Sequence, residues 1–237
     1  MTISTADWQK YIQNLSKISK TAGDLMEKYV QVHGFSDRQA LIDYAYALVT
    51  EYGAASATLA CNMYDAIAQM EMALVPEAIP AATATLEEVG KAINGSLLQS
   101  ASGQLLSSVT ERMVKQAGAD TTIQNAARDG AQFAWVPSGD TCAFCLTLAS
   151  RGWQYQSKKG ARSHASHIHS HCDCQYAVRF NKSTQVDGYD PDAYLQQYRA
   201  AGSDINAMRR ASYQQNREKI LEQKRNAYAK RVAQESE

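Results

Sequence analysis

The sequence predicts a mainly α protein with a small α+β module towards its C-terminal end. Three observations carry that expectation. Apolar residues recur at helical spacing through most of residues 1–134. At Trp135 the pattern stops, and cysteines, histidines, glycines and basic residues crowd together as far as Cys174. From Ser203 a polar, basic helix is expected to run nearly to the end. The chain therefore reads as a long Ala-rich helical front (1–134), a zinc-knuckle-like element in an α+β module (135–180), and a loop with a C-terminal basic helix (181–237).

Trp8, Tyr11, Ile12, Leu15 and Ile18 predict an amphipathic helix over 6–30, interrupted at Gly34. Ser36 with Gln39 three residues on reads as a capping box opening a second helix. Leu41, Tyr44, Ala45, Leu48, Val49 and Tyr52 form its stripe, which runs past Gly53 towards Leu74 until Pro76 and Pro80 end it. Leu86, Val89 and Ile93, then Leu105, Val109 and Met113, mark two helices or one broken helix over 82–118. Gly118 reads as a stop, and Asp120 as the N-cap of a further helix through Ile123, Ala127 and Ala131.

Trp135-Val136 followed by Pro137-Ser138-Gly139-Asp140 reads as a short strand and a turn. Tyr176, Val178 and Phe180 alternate in the best strand of the chain, 175–180. Asp190-Pro191-Asp192 opens a helix through Tyr194, Leu195 and Tyr198, with Gly202 as its stop. The last helix carries 8 Lys/Arg against 2 Glu between 207 and 231.

Composition narrows the function classes. An apolar fraction of 45% with 20% charged residues can bury a core, which excludes wholesale disorder. Lys+Arg and Asp+Glu are both 24, so the chain is not a uniformly basic nucleic-acid binder. The balance hides an asymmetry: residues 1–134 carry net −5, 135–180 net +3 and 181–237 net +2. No run approaches the roughly 18 apolar residues of a membrane span. The N-terminus lacks a charged start followed by an apolar stretch, so synthesis in a cytosol is expected, with no membrane partner.

Four of the five cysteines, Cys142, Cys145, Cys172 and Cys174, fall within 33 residues, and in a reducing compartment that clustering favours a metal over disulfides. Cys142-x-x-Cys145 can place two sulfurs about 2.3 Å from a common ion. The other half is His169-x-His171-Cys172-x-Cys174, with 26 residues between Cys145 and Cys172. The leading ligand set is Cys142, Cys145, Cys172 and Cys174, with His169 as the main substitute. A pair of disulfides is the alternative. No Glu stands between Glu111 and Glu218, and no H-E-x-x-H occurs, so the expected zinc is structural and the chain is not expected to be an enzyme. The histidines at 164, 167, 169 and 171 motivate one enzymatic alternative, a zinc-supported nuclease of His-Asn-His type. The plainer reading makes His164 and His167 spare residues of a solvated loop. Cys61 reads as a small core residue. Lys158, Lys159 and Arg162 form a small basic loop.

Residues 126–130 (AARDG), 135–146 (WVPSGDTCAFCL), 148–152 (LASRG) and 169–174 (HSHCDC) resemble the minor capsid proteins of tailed phages of Gram-positive hosts, related to the Mu F-like head morphogenesis proteins. In that group an Ala-rich helical front leads into C-x-x-C, and H-x-x-C-x-C follows after a variable loop. The matching region covers about residues 120–180. The resemblance implies a virion component inside the capsid near the portal vertex, assisting head assembly or DNA packaging and ejection. It implies portal or major capsid protein as partner, with packaged DNA reached through the 158–162 loop and the C-terminal helix. By position, Cys142, Cys145, His169, Cys172 and Cys174 match its metal-type residues.

Overall fold

The structure, a computed structural model, describes residues 1–138, 141–157, 160, 164–165, 168 and 172–234. Four long helices build the front. Ser4 caps α1 (Thr5–His33), its hydroxyl accepting from the Asp7 N–H at 3.1 Å, and Gly34 ends it at φ +69°. Helix α2 (Arg38–Met70) is capped by Asp37, whose carboxylate accepts from the Ala40 N–H at 3.0 Å. Ser36 is thus not the cap. Asp37 stands one residue nearer the orphan N–H groups and brings a negative charge to the positive end of the helix. Helix α2 also stops at Met70, short of both prolines, and Met72 turns the chain at φ +53°. Thr85 and Glu88 form a reciprocal capping box at the start of α3 (Leu86–Gln99).

Helix α4 (Gly103–Asp129) is the largest departure from expectation. It runs unbroken through Gly118 and Asp120, which were read as a stop and a cap. Gly118 is there for contact. A Cβ at that position would stand 2.7 Å from the Ser56 hydroxyl and 3.3 Å from its carbonyl, so the glycine lets α4 cross α2 closely. Asp120 is buried inside the helix, 2% exposed. The helix ends about three turns beyond Gly118, at Gly130, in the left-handed conformation at φ +68°.

The α+β module is a three-stranded antiparallel sheet in the order β3-β2-β4, with β2 (Gln132–Val136) in the centre. Trp135 faces Tyr176 and Phe133 faces Val178 across β2 and β4 (Gln175–Arg179). The edge strand β3 is Gln154–Tyr155, and the short helix α5 (Ala143–Ala149) lies between β2 and β3 in sequence. Every residue of β4 is buried, so its alternation does not mark one wet face, and Phe180 lies just beyond the strand. A second, two-stranded sheet was invisible to periodicity, its strands being two residues each: β1 (Thr2–Ile3) pairs in parallel with β5 (Gln185–Val186). Helix α6 (Pro191–Ala200) is capped by Asp190, and α7 (Ile205–Gln234) is the last element among the described residues. No helix among the described residues is long and apolar enough to cross a membrane.

Two apolar cores result. Met26, Leu41, Val49, Val89, Ile93, Leu106 and Val114 join the four front helices. Ile3, Trp8, Tyr64, Ile123, Trp135, Tyr176 and Val186 form the other, which draws on the front, the sheet and β5 together. Each such side chain contributes about 1.5–3 kcal/mol by leaving water.

Two glycines separate propensity from packing. Gly95 lies inside α3 with nothing within 4 Å of a Cβ built there. Gly95→Ala is expected to raise unfolding stability by about 0.5–1 kcal/mol in urea titrations. Gly118→Ala is expected to lower it by about 1–3 kcal/mol despite the better helix propensity, because Ser56 and its backbone must move. A stabilising Gly118→Ala would refute the close crossing of α2 and α4.

Candidate metal centre

Cys142 is the N-cap residue of α5 and Cys145 stands three residues on, within its first turn. That places Cys145 on the inner side of a short helix, fully buried, while Cys142 is exposed. Cys172 and Cys174 lead into β4 and are fixed by its pairing with β2. The sulfurs of Cys145, Cys172 and Cys174 all lie within 4.8 Å of one another. The Cys145 and Cys172 sulfurs are 3.3 Å apart. Tetrahedral zinc with Zn–S about 2.3 Å requires sulfurs about 3.8 Å apart, so small shifts would seat an ion among these three.

The surroundings suit thiolates. The backbone N–H of Ser138 points at the Cys174 sulfur (3.4 Å), and the Cys174 N–H at the Cys172 sulfur (3.4 Å). Hydrogen bonds to Cys172 and Cys174, and then burial, hold the Cys145 thiol far above the ordinary thiol range. Three thiols in so small a space resist losing protons unless a cation balances the charge. The residues present therefore fit a soft divalent ion. Among the described residues Cys142 is not part of the cluster, and His167, His169 and His171 lie outside those residues, as do Lys158, Lys159 and Arg162.

Helix α4 holds this centre from behind. Lys115, 5% exposed, donates from Nζ to the Cys172 carbonyl (3.1 Å) and to Asp173 Oδ1 (3.2 Å), the residue between the two cysteines. One residue on, Gln116 Nε2 donates to the Ala165 carbonyl at 2.7 Å. One turn on, the buried Asp120 carboxylate accepts from the Ala165 N–H and contacts His164 Nδ1 at 2.5 Å. The other ring nitrogen of His164 meets Glu88 Oε1 at 3.0 Å. His164 is therefore not a spare loop residue. It joins α3 and α4 to the chain leading into the cysteines. Its two carboxylate partners, Asp120 first, raise its pKa against the opposing effect of burial. The sequence hid this clasp because Lys115, Gln116 and Asp120 read as the polar end of a helix. Their spacing of one and four residues on one helix was the available signal.

A cavity of about 260 Å³ lies beside this clasp, bounded in part by Trp135, Arg151, His164 and Tyr176. None of the three clustered cysteines lines it. Cys61 is buried on α2, as expected of a core residue.

A family model described as VG15 protein matches residues 2–201. No curated protein matches the chain. No solved structure matches it.

Two outcomes follow from this geometry. Native mass spectrometry is expected to find one zinc ion per chain, lost in Cys145→Ser and kept in the control Cys61→Ser. Hydrogen exchange of residues 172–179 should rise in Cys145→Ser, because the metal's binding energy is local folding energy. Retention of zinc by Cys145→Ser would show that the centre is not built on this cluster. The second outcome concerns pH. A histidine with a raised folded pKa stabilises fully below its unfolded value of about 6.5, and that contribution fades as pH climbs through the raised value. The amides of Ala165 and Ile168, corrected for intrinsic exchange, are expected to lose protection as pH rises above about 6.5. His164→Phe should remove that pH dependence, and its persistence would place its origin elsewhere.

Proposed function

Because the chain belongs to the VG15 family, a family of phage proteins, we propose that it is a structural component of the phage particle. The role is that of a minor capsid, or head morphogenesis, protein of the Mu F-like type, lying inside the capsid at the portal vertex. In this reading the helical front contacts the portal or a capsid subunit. Zinc at Cys145, Cys172 and Cys174, completed by Cys142 or His169, is structural and holds the small module in shape. Nothing about the centre asks for a reaction.

The observation that carries the reading is the surface of the front. The segment between α2 and α3 is tied down along its backbone by α4. Asn125 Oδ1 accepts from the Ile79 N–H (2.9 Å), Thr121 Oγ1 from the Ala81 N–H (3.0 Å), and Arg128 donates to the carbonyls of Pro76 and Glu77. That rigid strap nevertheless turns large apolar side chains outward: Met72 is 81% exposed, Leu74 103% and Ile79 63%. Apolar side chains held rigidly in water by a dedicated hydrogen-bond set suit a protein partner better than solvent.

The paired substitution Leu74→Asp and Ile79→Asp is expected to abolish co-purification with the portal protein while leaving helix content unchanged. Quantitative mass spectrometry of intact particles should find the wild-type chain at a low, fixed ratio to portal, and the double variant depleted. Normal incorporation of the variant would remove the strap from the contact. Absence of the wild-type chain from particles would remove the structural reading itself. Plasmid DNA incubated with the protein and Mg²⁺ or Mn²⁺ is expected to stay intact, and cleavage abolished by His171→Ala would turn the assignment towards a nuclease.

A further inference from the structure

The cavity beside the His164 clasp is separate from the clustered cysteines, and its walls are of mixed chemistry. Phe133 and Trp135 stand two residues apart on β2 and so project from the same face of the sheet. Tyr176 sits opposite Trp135 on β4, and its ring meets both of the others edge-on. The ring centroids lie 5.5 Å from Phe133 and 4.7 Å from Trp135, at interplanar angles of 75° and 71°. Ile123 of α4 and Leu148 of α5 add aliphatic walls. The volume of about 260 Å³ exceeds the roughly 150 Å³ of an apolar cavity that takes up benzene. It falls below the roughly 300 Å³ at which pockets for drug-sized ligands begin. The space therefore suits one ring with a short polar tail.

Arg151 supplies the charge. Helix α5 ends with Ser150 as its C-cap, and the Arg151 and Gly152 N–H groups then donate to the carbonyls of Leu148 and Ala149, both at 3.1 Å. Gly152 adopts the left-handed conformation at φ +66°, which turns the chain into β3 and leaves the exposed Arg151 lining the cavity. Among the described residues its guanidinium has neither a hydrogen bond nor an ion pair. His164 lines the same cavity, but Asp120 and Glu88 occupy its two ring nitrogens. No carboxylate lines the cavity among the described residues. Trp135 is 4% exposed, and its indole N–H has no acceptor among the described residues. Buried donors are seldom left without a partner from protein, solvent or ligand.

We propose that this cavity binds a single aromatic ring that carries a carboxylate. The ring enters among Phe133, Trp135 and Tyr176, whose faces and edges complement another aromatic. The planar guanidinium of Arg151 takes the carboxylate, whose two oxygens match its fork of donors. An acceptor on the guest also gives the Trp135 N–H the partner that the protein does not. A phosphate dianion would call for a second cation, and His164 is already committed to two carboxylates. A cationic guest would meet Arg151 with no lining acid to offset it. Two sources present the required chemistry: a free aromatic acid, and the C-terminal aromatic residue of another chain. Nothing in this site depends on the chain's place in a particle.

The test titrates the full-length, nitrogen-15-labelled protein with 3-phenylpropionate, followed by calorimetry and by the indole N–H signals of Trp8, Trp135 and Trp153. Binding with a Kd of about 1 mM or tighter is expected. The Trp135 signal, assigned with Trp135→Phe, should move, and that of Trp8, which does not line the cavity, should stay. The neutral 3-phenylpropanamide should bind about tenfold more weakly. Arg151→Met, at an exposed position, should weaken the acid by about the same factor and leave the amide unchanged. A short peptide ending in phenylalanine is compared as free acid and as C-terminal amide. Tighter binding of the free-acid peptide than of 3-phenylpropionate would support the proposal with a chain terminus as the source. The reverse order would support it with a free acid as the source. No binding of either acid at about 10 mM would overturn it. So would equal affinity for acid and amide, or an acid affinity unchanged in Arg151→Met.

Discussion

The buried polar side of α4 is the constraint on which the rest of the structure depends. A helix with buried residues on every side is normally apolar all round. This one buries Lys115, Asp120, Thr121, Thr122 and Asn125 instead. An unpaired buried charge costs several kcal/mol, so each of these groups dictates where some other part of the chain must run. Lys115, Gln116 and Asp120 fix the approach to Cys172. Asn125, Thr121 and Arg128 fix the strap between α2 and α3. Irregular chain on both sides of the helix is held by side-chain-to-backbone bonds where no sheet or helix ladder is available.

Those bonds also explain which features were legible in the sequence. The long front helices, the break near Trp135, the strand at 175–179, the helix opened by Asp190 and the polar C-terminal helix all follow from local patterns. Each needs only neighbours in sequence to be read. Gly118 and Asp120 misled because a glycine and an aspartate at the end of an apolar stripe normally announce a terminus. What kept them inside a helix was tertiary: the close passage of Ser56 and the bonding demands of His164 and Ala165. The three clustered cysteines were legible from spacing, since C-x-x-C and C-x-C are local signals. Their holding by Lys115, 57 residues upstream of Cys172, was not.

The metal centre and the apolar core share the work of shaping the small module. Its three strands have two, five and five residues, too little to stand alone. Packing on Trp8, Tyr64 and Ile123 covers one side of the sheet. The cysteines tie α5 to the start of β4, two elements that 25 residues of sequence separate. Burial positions the strands, and the sulfur cluster joins segments that burial alone would leave loosely related.

The pairing of Thr2–Ile3 with Gln185–Val186 has a consequence in time. The first strand of the chain has no partner until residue 186 has left the ribosome. At ordinary elongation rates that interval is on the order of tens of seconds. During it the nascent front lacks the lid over Ile3 and Trp8, both of which end up almost fully buried. The apolar cluster around Ile3 and Trp8 is thus closed by a segment made late, and release of the chain before β5 is made would leave it open to wrong partners.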